Sequence, residues 1–190
     1  MPSKNRIKIY ELGMFYHIYN RGVEKREIFL ERNDYEHFVY KLRACLKPLP
    51  KHTNHSQNIT LIAYSLMPNH FHLIVRNERQ RGIEDFMRSL GTFYSMYFNK
   101  KYERVGHLFQ GPYKAANIRS EGELLHKVRY VHKNPLDICE GPLKDYPYSN
   151  YNCYLQEKET DWFDIRTVLH YFQGKGFKYK EFVENLKDYP

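Results

Sequence analysis

Two β-rich runs, Ile59–Leu66 and His70–Arg76, are separated only by Met67-Pro68-Asn69, a spacing that makes them an antiparallel hairpin. In the second run, apolar Phe71, Leu73 and Val75 alternate with His70, His72, Ile74 and Arg76. The pleat therefore sends the first set into a core and the second set to the opposite face.

The flanking segments extend this into an order of elements. Phe15–Tyr19 reads as a strand closed by Asn20-Arg21-Gly22. A helix capped by Asp34 runs to about Lys47, with Phe38, Leu42 and Cys45/Leu46 at helical spacing. Pro48 and Pro50 stop it, and a polar loop follows from Lys51 to Asn58. After the hairpin come a helix over Ile83–Phe98 and a strand over Tyr113–Ile118, which Pro112 places at a strand start or an edge. Ser120, with Glu123 three residues on, caps a further helix that ends at Pro135. Short helices are predicted near 147–156, 164–172 and 179–187.

The order β-α-β-β-α-β predicts an α+β, ferredoxin-like (RRM-like) antiparallel sheet, with two helices on one face and the other face open to a ligand. The third helix and a helical tail follow. The domain reading is a body at 1–139 and an extension of open role at 140–190.

Charge is divided the same way. Residues 1–139 carry 23 basic and 13 acidic side chains, while 140–190 carry 7 and 9. A basic body points to a polyanionic partner, most often nucleic acid. Cys45, Cys139 and Cys153 are scattered with no C-x-x-C, which fits a reducing, cytoplasmic setting and argues against a disulfide framework or zinc-thiolate site. No apolar leader and no stretch of roughly 18 apolar residues is present, so a membrane role is not expected.

His70 and His72 leave one face of one strand, their Cα atoms about 6.5–7 Å apart, close enough to share a metal ion. An H-x-H pair alone is weak evidence, since two half-exposed histidines bonded to loops give the same pattern. Here the pair opens a strand directly after a tight turn, within a basic body. Among eighteen tyrosines, Tyr94 and Tyr97 share a helix side with Ile83 and Leu90 and read as core. Tyr130 differs. Leu124, Leu125, Val128 and Val131 define the buried stripe of its helix, with His132 at the edge, and Tyr130 lies opposite between His126 and Asn134. It is a surface residue or a nucleophile. A free phenol ionises near pH ~10, so a nucleophilic role needs a nearby cation. Asn134, one turn on, can offer an amide oxygen to an ion held by His70 and His72.

Met67-Pro68-Asn69-His70-Phe71-His72-Leu73-Ile74-Val75 resembles the HUH motif of single-strand DNA transposases. Arg104-Val105-Gly106-His107-Leu108-Phe109-Gln110-Gly111 and Arg129-Tyr130-Val131-His132-Lys133-Asn134-Pro135 resemble two signatures of the REP-associated tyrosine transposases within that group. Asn20-Arg21-Gly22, Ile28-Phe29 and Asp34-Tyr35 are similar to its N-terminal pattern. The resemblance spans about residues 10–155. It implies a divalent metal, Mg²⁺ or Mn²⁺, and cleavage and rejoining of single-stranded DNA through a covalent 5′-phosphotyrosine. The DNA would have hairpin-forming repeat ends, and a homodimer is one assembly the resemblance allows. Carried over by motif, Tyr130 is the nucleophile, His70 and His72 are metal ligands, and Asn134 occupies the third-ligand position. DNA contacts are expected from Arg21, Lys100, Lys101, Arg104, His107, Gln110, Lys114, Arg119, Arg129 and Lys133. Two positions depart from the pattern: Pro112 stands where the family carries arginine, and Lys133 replaces an apolar residue.

Two other functions fit parts of the pattern. A ferredoxin-like sheet with exposed aromatics can bind single-stranded nucleic acid without cutting it. That reading leaves His70, His72 and Tyr130 without a joint purpose, and no convincing RNP1 sequence is present. A replication-initiator nickase of the HUH type would use similar chemistry, but the Gly-His-Leu-Phe-Gln-Gly segment favours the transposase. His52 and His55, in the polar loop with no cysteine near, read as solvated rather than as zinc ligands.

Overall fold

The computed structural model describes residues 9–47 and 55–185; Pro48, Pro50, His52 and the first part of the polar loop lie outside the described residues. The elements are β1 (Phe15–Arg21), α1 (Arg32–Leu46), β2 (Ile59–Met67), β3 (His70–Asn77), α2 (Gly82–Lys101), β4 (Lys114–Ile118) and α3 (Glu121–Lys133). The strands form one sheet in the order β2-β3-β1-β4, and every pairing is antiparallel. This is the ferredoxin-like arrangement expected from the order of elements.

Alternation along β3 behaves as its sequence requires. Phe71, Leu73 and Val75 are buried. Phe71 meets Phe38 of α1 at 5.2 Å between ring centroids, and Tyr94 of α2 meets the same Phe38 at 5.0 Å. α2 starts close against the chain: a Cβ at Gly82 would lie 2.2 Å from the Asn58 carbonyl oxygen, so only glycine fits.

The start of α1 differs from expectation. Glu31, not Asp34, is the cap, and Asp34 sits inside the first turn as its capping-box partner. The Asp34 carboxylate is fully buried and accepts from the backbone of Leu30 (2.8 Å) and Glu31 (3.2 Å). It also accepts from Tyr97 Oη (3.0 Å), Lys101 Nζ (2.5 Å) and Tyr102 Oη (2.7 Å). One carboxylate thus ties the start of α1 to the end of α2.

The second sheet face is not left fully open. α3 packs against β2 and β3, on the side of His72 rather than of Phe71, and Ile74 is fully buried on that side. The tail then covers α3. Its short helices are α4 (Tyr151–Leu155), α5 (Arg166–Leu169) and α6 (Gly176–Glu184). α4 begins later than its sequence suggested, because the chain before it runs along the free edge of β2: Leu66 N–H donates to Tyr148 O (2.9 Å), and Ser65 bridges to Ser149. α6 begins three residues earlier than expected, with Tyr179 and Val183 buried one turn apart. Tyr151, Tyr154, Ile165, Val168, Tyr179 and Val183 belong to the same apolar cluster as the sheet.

Asn150 closes this junction. β2 slips register between Leu61 and Ala63, and its outer edge carries backbone groups with no strand beside them. Asn150 fills the gap: Tyr64 N–H donates to its Oδ1 (2.9 Å) and its Nδ2 donates to Ile62 O (2.9 Å). The same Oδ1 lies 2.9 Å from Nε2 of His132, whose Nδ1 meets Tyr179 Oη at 2.6 Å. His132 was expected at the edge of the α3 stripe and is instead fully buried, with its pKa pulled down to about 4 by burial. Among the described residues no helix is long and apolar enough to cross a membrane.

Two outcomes follow from these buried polar centres. Burial alone would raise the pKa of Asp34, but the bonds from Lys101, Tyr102, Leu30 and Tyr97 hold it below the usual carboxylate range. Its stabilisation is therefore complete above the unfolded value near ~3.9 and is lost as pH falls toward the folded value. Asp34→Asn should lower the urea midpoint clearly at pH 6 and much less at pH 3; an equal deficit at both values would contradict the network. Asn150→Ala orphans the Tyr64 N–H and His132 Nε2, at about 1–3 kcal/mol each, and should cost about 2–5 kcal/mol in equilibrium unfolding. A cost under about 0.5 kcal/mol, typical of surface positions, would show the junction to be unimportant.

Candidate active site

The site begins at the β2–β3 turn. Met67 pairs with His70, so Pro68 and Asn69 form a two-residue loop. The chain after β1 clasps this loop: Ile28 and Phe29 N–H donate to Pro68 O (2.8 and 3.0 Å), and Gly22 N–H donates to Asn69 O (2.9 Å). Gly22 has no room for a side chain, since a Cβ would stand 2.2 Å from Arg26 O.

His70 and His72 leave this hairpin on the α3 side. Tyr19 of β1 pairs with His72, and Arg21 with His70. Tyr130 comes down from α3, half exposed, with its ring edge-on to His72 at 5.4 Å and to His17 at 5.9 Å. Asn134, at the end of α3, places Oδ1 3.1 Å from His70 Nε2. His70, His72 and Tyr130 border a cavity of about 480 Å³ whose wall also includes Tyr19, Arg21, Gln110 and Lys114.

The imidazoles are held neutral. Burial pulls the His72 pKa down to about 2, helped by His17 and His70 beside it, and pulls His17 to about 4. His70 is lowered by burial, against a hydrogen bond with Asn134 that works the other way. A neutral imidazole keeps a lone pair for a metal, and each ring has Nδ1 engaged behind it. His70 Nδ1 meets Asn69 Oδ1 at 2.6 Å, and His72 Nδ1 meets His17 Nε2 at 2.9 Å. A neutral His70 has one proton for two amide oxygens, Asn69 and Asn134. A cation between Nε2 and the Asn134 oxygen satisfies the remaining contact, so this donor set fits a metal ion. Among the described residues there is no group of three or more His, Cys, Asp or Glu placed to hold a metal.

The basic residues separate into two groups. The segment 108–111 continues the pairing along β1: Val23 N–H donates to Leu108 O (2.9 Å), and Gln110 N–H donates to Arg21 O (2.8 Å). Gln110 is thereby set beside Arg21, whose Nε donates to its Oε1. Lys114 projects next to Tyr19, its ammonium 5.9 Å from the ring. Arg21, Gln110 and Lys114 thus join the cavity. Lys100, His107 and Arg119 are exposed outside its wall, and Lys133 is half-buried at the end of α3. Lys101 is committed to Asp34 and Glu31, and Arg104 to Asn99 Oδ1 at 3.2 Å. Arg129 is buried under the tail, donating to Val183 O (3.4 Å) and Asn185 O (2.5 Å).

Four cavity residues were not among the site residues expected from the sequence: Tyr19, Asn20, Lys25 and Asn69. His17, behind His72, was missing too. Asn69 had a signal, being the residue before the histidine pair. His17 had only its place on the polar face of β1, and its partner is set by pairing between strands distant in sequence.

The model of the family described as transposase IS200 like matches residues 14–134. The fold is similar to the structure of a REP-associated tyrosine transposase bound to a REP hairpin, with a TM-score of 0.58 and 14% identity over 86% of this chain and 93% of that one. A candidate transposase from Deinococcus radiodurans R1 overlaps less well, with a TM-score of 0.43 and 19% identity over 69% of this chain and 96% of that one. No curated protein matches the chain at a significant level. The family match begins just before β1, ends at Asn134 and takes in every element that builds the cavity, and the chain belongs to the IS200-like transposase family.

Proposed function

We propose that this protein cleaves and rejoins single-stranded DNA at hairpin-forming repeat ends, with Tyr130 as nucleophile. The observation that carries the reading is the approach of the half-exposed Tyr130 ring to His72, at the mouth of a cavity rimmed by Arg21 and Lys114.

In the proposed step, Tyr130 Oη attacks the scissile phosphorus and the bond to the 3′ oxygen breaks. The 5′ phosphate becomes a tyrosine ester, and the 3′ oxygen leaves and takes up a proton. Attack by a 3′ hydroxyl on the ester reverses the balance and restores the phenol. His70, His72 and Asn134 would hold a divalent ion, Mg²⁺ or Mn²⁺, which when bound would supply positive charge against the phosphate oxygens. The protein does the rest. Arg21 and Lys114 attract and orient the backbone, and Tyr19 offers a face on which a base can stack. The buried contacts of α3 hold the phenol in place, which supplies the orientation an in-line attack needs. Exposed Lys100, His107 and Arg119 extend the basic surface for the rest of the strand.

Tyr130→Phe should abolish cleavage and the covalent adduct on a labelled oligonucleotide, with DNA affinity within about three-fold because only a hydroxyl is lost. Tyr94→Phe, which removes a buried bond to Ile28 O, should lose stability and keep the adduct. Excess EDTA, like His70→Ala or His72→Ala, should suppress cleavage and leave binding. Adduct formation by Tyr130→Phe would remove Tyr130 from the chemistry.

Binding should weaken steeply with salt, and Arg21→Ala or Lys114→Ala should each reduce the slope of log affinity against log salt by about 0.7, as one lost single-strand phosphate contact does. Lys101→Ala and Arg129→Ala should lower the melting temperature and leave that slope unchanged, since both cations are spent inside the fold. A slope that responds to Lys101 and ignores Arg21 and Lys114 would place the DNA elsewhere on the surface.

A further inference from the structure

We propose that His17 is a positioning residue that selects the metal-binding tautomer of His72; this rests on the metal site proposed above. His17 is buried on β1, one position before the neighbour of the Tyr19–His72 pair, and faces Ile74 across the ladder. Its Nε2 lies 2.9 Å from His72 Nδ1, and the two rings lie edge to edge with centroids 5.0 Å apart and planes 27° from parallel. Tyr19 stacks on His17, at 5.1 Å and 29°, and the Tyr130 ring stands edge-on at 5.9 Å. His17 is therefore held on several sides in one plane, and its Nε2 has one partner to meet.

That contact has two forms with opposite consequences. If His17 Nε2–H donates to His72 Nδ1, then neutral His72 carries its own proton on Nε2 and offers no lone pair to the cavity. If His72 Nδ1–H donates to His17 Nε2, the lone pair sits on His72 Nε2, where a metal can take it. A proton acceptor behind the ring is the usual device for orienting a metal-binding imidazole, more often a carboxylate or carbonyl. Here the acceptor is a neutral imidazole. His70 has the equivalent support from the Asn69 amide oxygen.

Conservative variants separate an acceptor at this position from simple packing. The side-chain amide of Gln reaches where Nε2 of His lies, whereas that of Asn ends near Nδ1. The test is Mn²⁺ binding by the full chain without DNA, measured by calorimetry or by the free Mn²⁺ resonance. It compares wild type with His17→Gln, His17→Asn, His17→Phe and His72→Ala. His17→Asn and His17→Phe should lose about 10–100-fold in Mn²⁺ affinity, while His17→Gln stays within about three-fold of wild type. Affinity for a single-stranded oligonucleotide in EDTA should be unchanged in the His17 variants, which reports an intact fold. If His17→Phe does not fold, the contrast between Gln and Asn still decides the matter. Wild-type Mn²⁺ affinity in His17→Asn, with binding lost in His72→Ala, would overturn the role of His17 and leave the metal site standing. An equal loss in His17→Gln and His17→Asn would also overturn it. Wild-type affinity in His72→Ala would remove the metal site itself, and this role with it.

Discussion

Burial of Phe71, Leu73 and Val75 under α1 and α2, at roughly 1.5–3 kcal/mol per side chain, holds β3 in register with β1 and β2. A slip of one residue would expose all three and bury His70, His72 and Arg76 on the helix side, so the register is strongly specified. Given that register, the two imidazoles must face α3, Tyr19 must stand beside His72, and Arg21 beside His70. The chemistry of the site thus depends on an apolar choice made on the other side of the same strand.

The reach of the sequence follows from how local each determinant is. The hairpin, the alternation in β3, the Ser120 cap and the stripe of α3 are set within a few residues of one another, and each is legible. Asp34 was legible as part of a helix start but not as its position: Glu31 caps, and Asp34 accepts from three side chains at the far end of α2. Lys101 looked like any cation at a helix end, until that carboxylate claimed it. Arg129, within a family motif, was read as a DNA contact, yet the tail supplies its carbonyl partners from more than fifty residues away. The same distance hid the role of Asn150 and the pairing of His17 with His72. Composition could count the cations, but only long-range contacts reveal which of them remain free.

Desolvation serves the site in two ways. It strips charge from His17, His70 and His72, so each ring keeps one nitrogen lone pair. It leaves the positive charge to the rim, on Arg21 and Lys114, where the side chains are exposed and keep most of their hydration. A buried imidazolium pair would repel any added metal and carry a large solvation cost. Neutral imidazoles behind a cationic rim avoid both.

Tyr130 combines accessibility with tight placement, and the elements that place it are all hidden. Its own ring is half exposed, as the proposed role toward a polymer requires. Yet Val128, Arg129, Val131 and His132 around it are buried, and His132 links α3 through Asn150 to the irregular stretch of β2 and through Tyr179 to α6. A helix held only by an apolar stripe can rotate or slide over a sheet at modest cost, because dispersion contacts are many and non-directional. Hydrogen bonds from a buried imidazole are directional, and breaking them strands polar groups away from water. The tail therefore turns a slippery contact into an indexed one, two residues from the phenol and two from Asn134. That accounts for a physical need the tail meets although none of its residues line the cavity: it sets where along β3 the phenol comes to rest.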